Sequence, residues 1–414
     1  VSTTLADPAQ STGRARSLVA LLGPAFVAAI AYVDPGNVAS NISAGAQFGY
    51  LLVWVIVMAN VMAGLVQFLS AKLGLVTGMS LPEAVRERAS RPVRLAYWGQ
   101  AETVAMATDL AEVVGGAIAL NLLFGLPLVV GGLITGVVSM CLLVVQDRRG
   151  QRPFERVITG LLAIIAVGFL ASVVIAPPSV SGTLGGLAPR FDGAESVLLA
   201  AAMIGATVMP HAVYLHSGLA RDRHGHPAPG PVRVRLLRAT RLDVVLAMLL
   251  AGTVNLAMLL MAANTLRGKE VDSIESAHAA VGDALGPVAA LLLAVGLLAS
   301  GLASTSVGAY AGAMIMQGLL RRTIPLLLRR SITLVPAIVI LAAGIDPTRA
   351  LIVSQVVLSF GIPFALIPLV RFTSDRELMG ADANHRVTTA LAWLVALIIS
   401  LLNIALIYLT VTGA

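Results

Sequence analysis

Two long apolar runs of this chain are each interrupted near their middle by a proline flanked by groups able to bind a cation. The first interruption reads Asp34-Pro35-Gly36-Asn37 and the second Thr207-Val208-Met209-Pro210-His211. Proline has no backbone N–H, so in a helix the carbonyl four residues earlier loses its partner. Those carbonyls belong to Ala31 and Ala206. In hydrocarbon an unsatisfied peptide group is costly, and irregular backbone persists only where it is buried in protein or lines a cavity. The C-terminal end of a half-helix also carries negative partial charge. Asp34 adds a full charge, Asn37 a neutral oxygen and Met209 a polarizable sulfur. Oxygen donors alone suit Mg²⁺ or Ca²⁺, whereas a thioether shifts preference toward transition metals such as Mn²⁺ or Fe²⁺.

A second set of polar residues, Glu102, Asp109 and Glu112, lies in another apolar run. Spacings of seven and three place all three on one helical stripe about 15 Å long. A carboxylate at the bilayer centre costs on the order of 2.5–3.5 kcal/mol, which makes the stripe a candidate proton path. A structural ion-pair network is the alternative. His211, directly after the second interruption, is of a type that exchanges protons near neutral pH.

The elements that must position these groups are transmembrane helices. Hydrophobic residues make up 57% of the 414 and charged residues 12%, against roughly 25% charged in an average soluble domain. About eleven apolar runs are long enough to span a bilayer: 17–47, 51–76, 95–121, 124–145, 155–176, 194–217, 237–263, 285–317, 324–343, 348–371 and 387–411. Membrane β-strands are about half that length and alternate in polarity, so the expected fold is all-α. With the N-terminus placed in the cytoplasm, 24 of the 28 Lys and Arg fall on cytoplasmic segments. This is the positive-inside bias; it puts the C-terminus on the extracellular or periplasmic side. The net charge of +7 therefore reflects topology and not a nucleic-acid partner. The single cysteine, Cys141, excludes an internal disulfide or a thiolate cluster. Residues 1–16 form a polar tail that does not resemble a cleavable signal.

The interrupted runs are the first and sixth, each opening a block of five. An odd block length makes the second block start from the opposite side of the membrane. Interrupted segments at matching positions of two such halves point to a transporter's substrate site. The expected organisation is a 5+5 inverted repeat, 17–176 and 194–371, followed by an added helix at 387–411.

The Asp-Pro-Gly-Asn run at 34–37 and the Met-Pro-His run at 209–211 resemble the two signatures of the natural resistance-associated macrophage protein (Nramp) family. Its members are proton-coupled importers of divalent transition metals with a leucine-transporter-like fold. The resemblance implies that Asp34, Asn37 and Met209, with the carbonyls of Ala31 and Ala206, coordinate the transported ion, and that Gln355 is a further, state-dependent ligand. It implies a proton route through Asp34, His211, Asp109 and Glu112, joined by Glu102 of the same stripe, with Arg329 and Arg330 as charge partners. Snorkelling of those arginines to the interface and ordinary interhelical hydrogen bonding by Gln355 are the competing readings.

The expected function is import of Mn²⁺, Fe²⁺, Cd²⁺ and similar ions together with protons, by alternating access, with no prosthetic group and no obligate protein partner. A sodium-coupled amine or amino-acid transporter of the same fold, and a passive metal channel, are the alternatives. An enzyme is disfavoured. No H-E-x-x-H occurs, and the spacing of His211 and His216 does not put two imidazoles on one helical face.

Overall fold

The computed structural model describes residues 23–149, 151–269, 271, 273–322 and 324–412. The polar tail at 1–16, the start of the first apolar run, and Glu270 and Asp272 lie outside the described residues. Among the described residues every regular element is helical.

The first run is split into α1 (Pro24–Ala29), a 3-10 turn (Ile30–Val33) and α2 (Pro35–Phe48). The rest of the first half follows as α3 (Val53–Thr77), a short α4 (Leu81–Arg88), α5 (Arg91–Phe124), α6 (Leu128–Arg149) and α7 (Gln151–Ile175). After the short α8 (Val180–Gly185), the second split run is α9 (Gly193–Thr207) and α10 (Pro210–His224). Then come α11 (Pro231–Thr265), the short α12 (Ile274–Leu285), α13 (Pro287–Leu320), α14 (Leu326–Ala342), α15 (Pro347–Ser374), the short α16 (Arg376–Met379) and α17 (Arg386–Thr412). The long runs match the eleven expected from the sequence. Eight of them are long and apolar enough to cross a membrane by themselves.

Proline punctuates this architecture at helix starts, where its missing N–H costs nothing and its fixed φ suits the first turn. Pro35 and Pro210 occupy that position in the second halves of the two split helices, as Pro231, Pro287 and Pro347 do in α11, α13 and α15.

The interior is packed through small residues, as expected where lipid removes the hydrophobic drive between helices. A Cβ on Gly115 of α5 would sit 2.0 Å from the Pro35 ring, and one on Gly205 of α9 would sit 2.1 Å from the Gln355 carbonyl oxygen. Glycine therefore lets α5 and α15 close directly on the two breaks.

Candidate metal and proton site

Asp34 is the N-cap of α2, with extended backbone at φ −69° and ψ 168°. Its Oδ1 accepts from the Asn37 backbone N–H at 2.7 Å and from Asn37 Nδ2 at 2.7 Å. Its Oδ2 accepts from Gln355 Nε2 of α15 at 3.2 Å. Asn37 Nδ2 also donates to the Ala206 carbonyl at 2.9 Å, and Thr207 Oγ1 approaches Asn37 Oδ1 at 3.5 Å. One carboxyl, two amides and the freed carbonyl of the second break are thus joined, although they come from positions up to 321 residues apart. All are fully buried, and Asp34 has no cationic partner among the described residues.

Met209 is the N-cap of α10, fully buried, three residues after Ala206. Ala31 is buried in the 3-10 turn that leads to Asp34. Gln355 Oε1 is a buried acceptor with no hydrogen-bond partner. Among the described residues no three His, Cys, Asp or Glu side chains cluster as a conventional metal cage. The donors gathered here are a single carboxyl supplemented by neutral groups. Such a set suits an ion that must leave again better than a resident one.

Several residues that the sequence did not single out hold the first break in place. Asn255 of α11 donates from Nδ2 to the Tyr32 carbonyl at 2.7 Å, and Asn41 Nδ2 in turn donates to Asn255 Oδ1 at 3.0 Å. Ser300 of α13 donates to the Val33 carbonyl at 2.5 Å. These bonds satisfy backbone acceptors that the end of a helix leaves open. Gln67 of α3 donates to the Tyr32 hydroxyl, and its Oε1 lies 2.6 Å from His216 Nδ1. Gly36 carries a different signal. A Cβ there would lie 1.8 Å from Gln355 Nε2, so only glycine leaves room for that amide to reach Asp34.

The acidic stripe of α5 meets α14. Arg329 Nη2 pairs with Glu102 Oε1 at 2.6 Å and Arg330 Nη1 with Asp109 Oδ1 at 2.7 Å. Both arginines are buried, 6% and 1% exposed. They do not snorkel, because a carboxyl on α5 stands opposite each of them inside the bundle. Glycines on α13 make the space: a Cβ on Gly312 would meet Arg329 Nη1 at 2.0 Å, and one on Gly308 would meet Glu112 Oε1 at 3.0 Å.

Glu112 differs from the other two acids. It is 1% exposed, forms no ion pair among the described residues, and its Oε2 has no hydrogen-bond partner. It remains within electrostatic reach of Asp34, Asp109 and Arg330. His211, on the first turn of α10, has Nδ1 3.3 Å from Thr108 Oγ1, one residue before Asp109, and an unpartnered buried Nε2.

Known proteins resemble this chain in sequence and in fold. The model of the natural resistance-associated macrophage protein-like family matches residues 25–409. A divalent metal cation transporter, MntH, of Mycobacterium tuberculosis is 71% identical over 394 residues, covering 95% of this chain and 92% of the relative. The MntH of Bacillus subtilis is 47% identical over 395 residues, covering 95% and 92%. The crystal structure of the Eremococcus coleocola manganese transporter, in complex with an aromatic bis-isothiourea substituted compound, superposes with a TM-score of 0.84 at 32% identity, covering 97% of this chain and 88% of that one. MhsT, at 13% identity and a TM-score of 0.59 over 92% of this chain and 98% of its own, shares the fold alone. The chain therefore belongs to the Nramp family, and it is a multi-pass membrane transporter and not an enzyme.

Proposed function

We propose that this protein is a proton-coupled, secondary-active importer of divalent transition metals, with Mn²⁺ and Fe²⁺ as the principal cargo and Cd²⁺ accepted as a softer surrogate. The observation that carries the reading is Asp34: a buried carboxyl between two broken helices, surrounded by neutral donors and unmatched by any cation among the described residues. A buried charge ordinarily requires a partner, and a divalent ion drawn between Asp34, Asn37, Gln355, Met209 and the carbonyls of Ala31 and Ala206 supplies one. Sulfur from Met209 tilts the set away from Ca²⁺ and Mg²⁺.

For the proton, the reading assigns acceptance to Asp34 and His211 and onward passage to Glu112 and Asp109. Arg330 and Arg329 balance the charge on Asp109 and Glu102. Glu112, without an ion pair among the described residues, is the member best able to change protonation without breaking a salt bridge. The two blocks 17–176 and 194–371 then act as inverted repeats that rock about the breaks, with the N-terminus in the cytoplasm.

The test is metal uptake into liposomes containing the purified protein, with and without an imposed pH gradient. Mn²⁺ uptake accelerated by an acidic exterior and accompanied by internal acidification is expected. Asp34→Ala should abolish both fluxes while preserving the monodisperse, folded protein. Uptake indifferent to the gradient, with no acidification, would leave a passive metal pathway.

A further inference from the structure

At the arginine-rich end of the bundle a cavity of about 380 Å³ lies between the start of α5 and the end of α13. Its polar lining is Arg91, Arg94, Arg322 and Trp98, and its apolar wall includes Leu95 and Leu320. Among the described residues no carboxyl group lines it and none of the three arginines forms an ion pair. Three arginine side chains line the cavity where the first turn of a 34-residue helix adds positive partial charge. Two donors are buried there without acceptors: Arg94 Nε and Trp98 Nε1. Arg321, which ends α13, takes the left-handed conformation at φ 55°, rare for a residue with a side chain. The chain turns sharply there, and the next residue, Arg322, lines the cavity.

We infer that this cavity binds the phosphodiester headgroup of an anionic phospholipid, such as phosphatidylglycerol. Like charges gathered without a counter-charge, beside donors that lack acceptors, call for an anion with several oxygens. Guanidinium groups match phosphate geometry through paired N–H donors. The apolar wall decides between a lipid and a soluble phosphate. Leu95, 46% exposed, stands beside the arginines and continues the apolar outer surface of α5, so an acyl chain can lie along the helix while its phosphate sits in the cavity. Tryptophan at that depth suits the boundary between headgroup and hydrocarbon. The charge bias along the chain assigns this end to the cytoplasm, where anionic headgroups attract basic residues near the membrane. Such a headgroup would tie together the ends of α5 and α13, which carry the acidic stripe and the glycines facing it.

The experiment uses the intact chain with Trp54 and Trp393 changed to Phe, leaving Trp98 as the only tryptophan. It is reconstituted with phosphatidylglycerol or phosphatidylcholine brominated on the acyl chains. Half-quenching of Trp98 by the anionic lipid is expected at roughly a tenfold lower mole fraction than by the zwitterionic one, from the attraction of clustered arginines. The R91Q/R94Q/R322Q protein should lose that preference, and R91K/R94K/R322K should keep part of it. Equal quenching by the two lipids in the protein with all three arginines intact, a measurement that needs no arginine variant to fold, would overturn the assignment. Recovery of Trp98 emission on adding inorganic phosphate would overturn the lipid as the source of the anion and show a soluble phosphate to be the ligand.

Discussion

Gly36→Ala isolates the contact between Gln355 and Asp34 without removing any donor. The added Cβ would fall 1.8, 2.2 and 2.6 Å from Gln355 Nε2, Cδ and Cγ, whereas carbon atoms pack at about 3.5–4.0 Å. The amide must withdraw by more than an ångström, and its bond to Asp34, already long at 3.2 Å, cannot survive that movement. Alanine in place of glycine favours a helix by roughly 0.5–1 kcal/mol. A hydrogen bond to a charged group contributes about 1.5–3 kcal/mol. Both of these terms act on the metal-free fold; the ion itself loses the neutral ligand assigned to Gln355, and Mn²⁺ binding should weaken on the order of tenfold, the equivalent of about 1.4 kcal/mol. Calorimetry of Mn²⁺ binding to the parent, Gly36→Ala, Gln355→Ala and the double variant reads this directly. In the Gln355→Ala background the clash is gone, so adding Gly36→Ala should change affinity by less than about 0.5 kcal/mol. Parent-like affinity for Gly36→Ala, or two losses that simply add in the double variant, would refute the reasoning.

Met209→Ala should lose Cd²⁺ affinity sharply, retain appreciable Mn²⁺ transport because water can take the open position, and admit more Ca²⁺; competition of Ca²⁺ against Mn²⁺ uptake measures the ratio. Asp109→Asn leaves Arg330 buried without its carboxyl and should destabilise the protein by about 3–5 kcal/mol, while lowering metal-driven proton influx more than metal affinity, as paired pH-dye and metal-dye fluxes will show. Outside the membrane-spanning helices, the Arg88 guanidinium 2.5 Å from Asp375 holds that carboxyl below its usual range. The stability it contributes is complete above about pH 4 and disappears as the pH falls through the depressed value. Asp375→Asn should therefore lower the melting temperature slightly at neutral pH, less in acid, and less with added salt because the pair is partly exposed.

The split helices were legible because proline and a polar side chain (Asp34 and Asn37 in one, Thr207 and His211 in the other) in an apolar run violate two local rules at once, and both violations lie within a few residues of each other. Asn255, Ser300 and Asn41 were not legible. A lone amide or hydroxyl in a transmembrane run is common, and their role depends on carbonyls more than 200 residues away. The buried state of Arg329 and Arg330 was undecidable for the same reason: snorkelling and pairing begin from identical sequence, and only the placement of α14 against α5 chooses between them. Gly36, Gly308 and Gly312 were hidden more completely, since a missing side chain acquires meaning only when the atom that takes its place is known.

The amide nitrogen of Asn37 bridges Asp34 Oδ1 and the Ala206 carbonyl, two of the acceptors assigned to the transported ion. It is a weak positive pole standing where a stronger one would go. For Asn37 to offer oxygen to a metal, its side chain must rotate, because nitrogen and oxygen sit on opposite arms of the amide. Loading then becomes a displacement reaction: the ion expels a competitor covalently attached to the carrier. Apparent affinity is lowered by the fraction of time the amide holds the position, and its return hastens departure of the ion. A carrier must let go on the far side of the membrane, and here a single rotating amide can set both the tightness of capture and the speed of discharge.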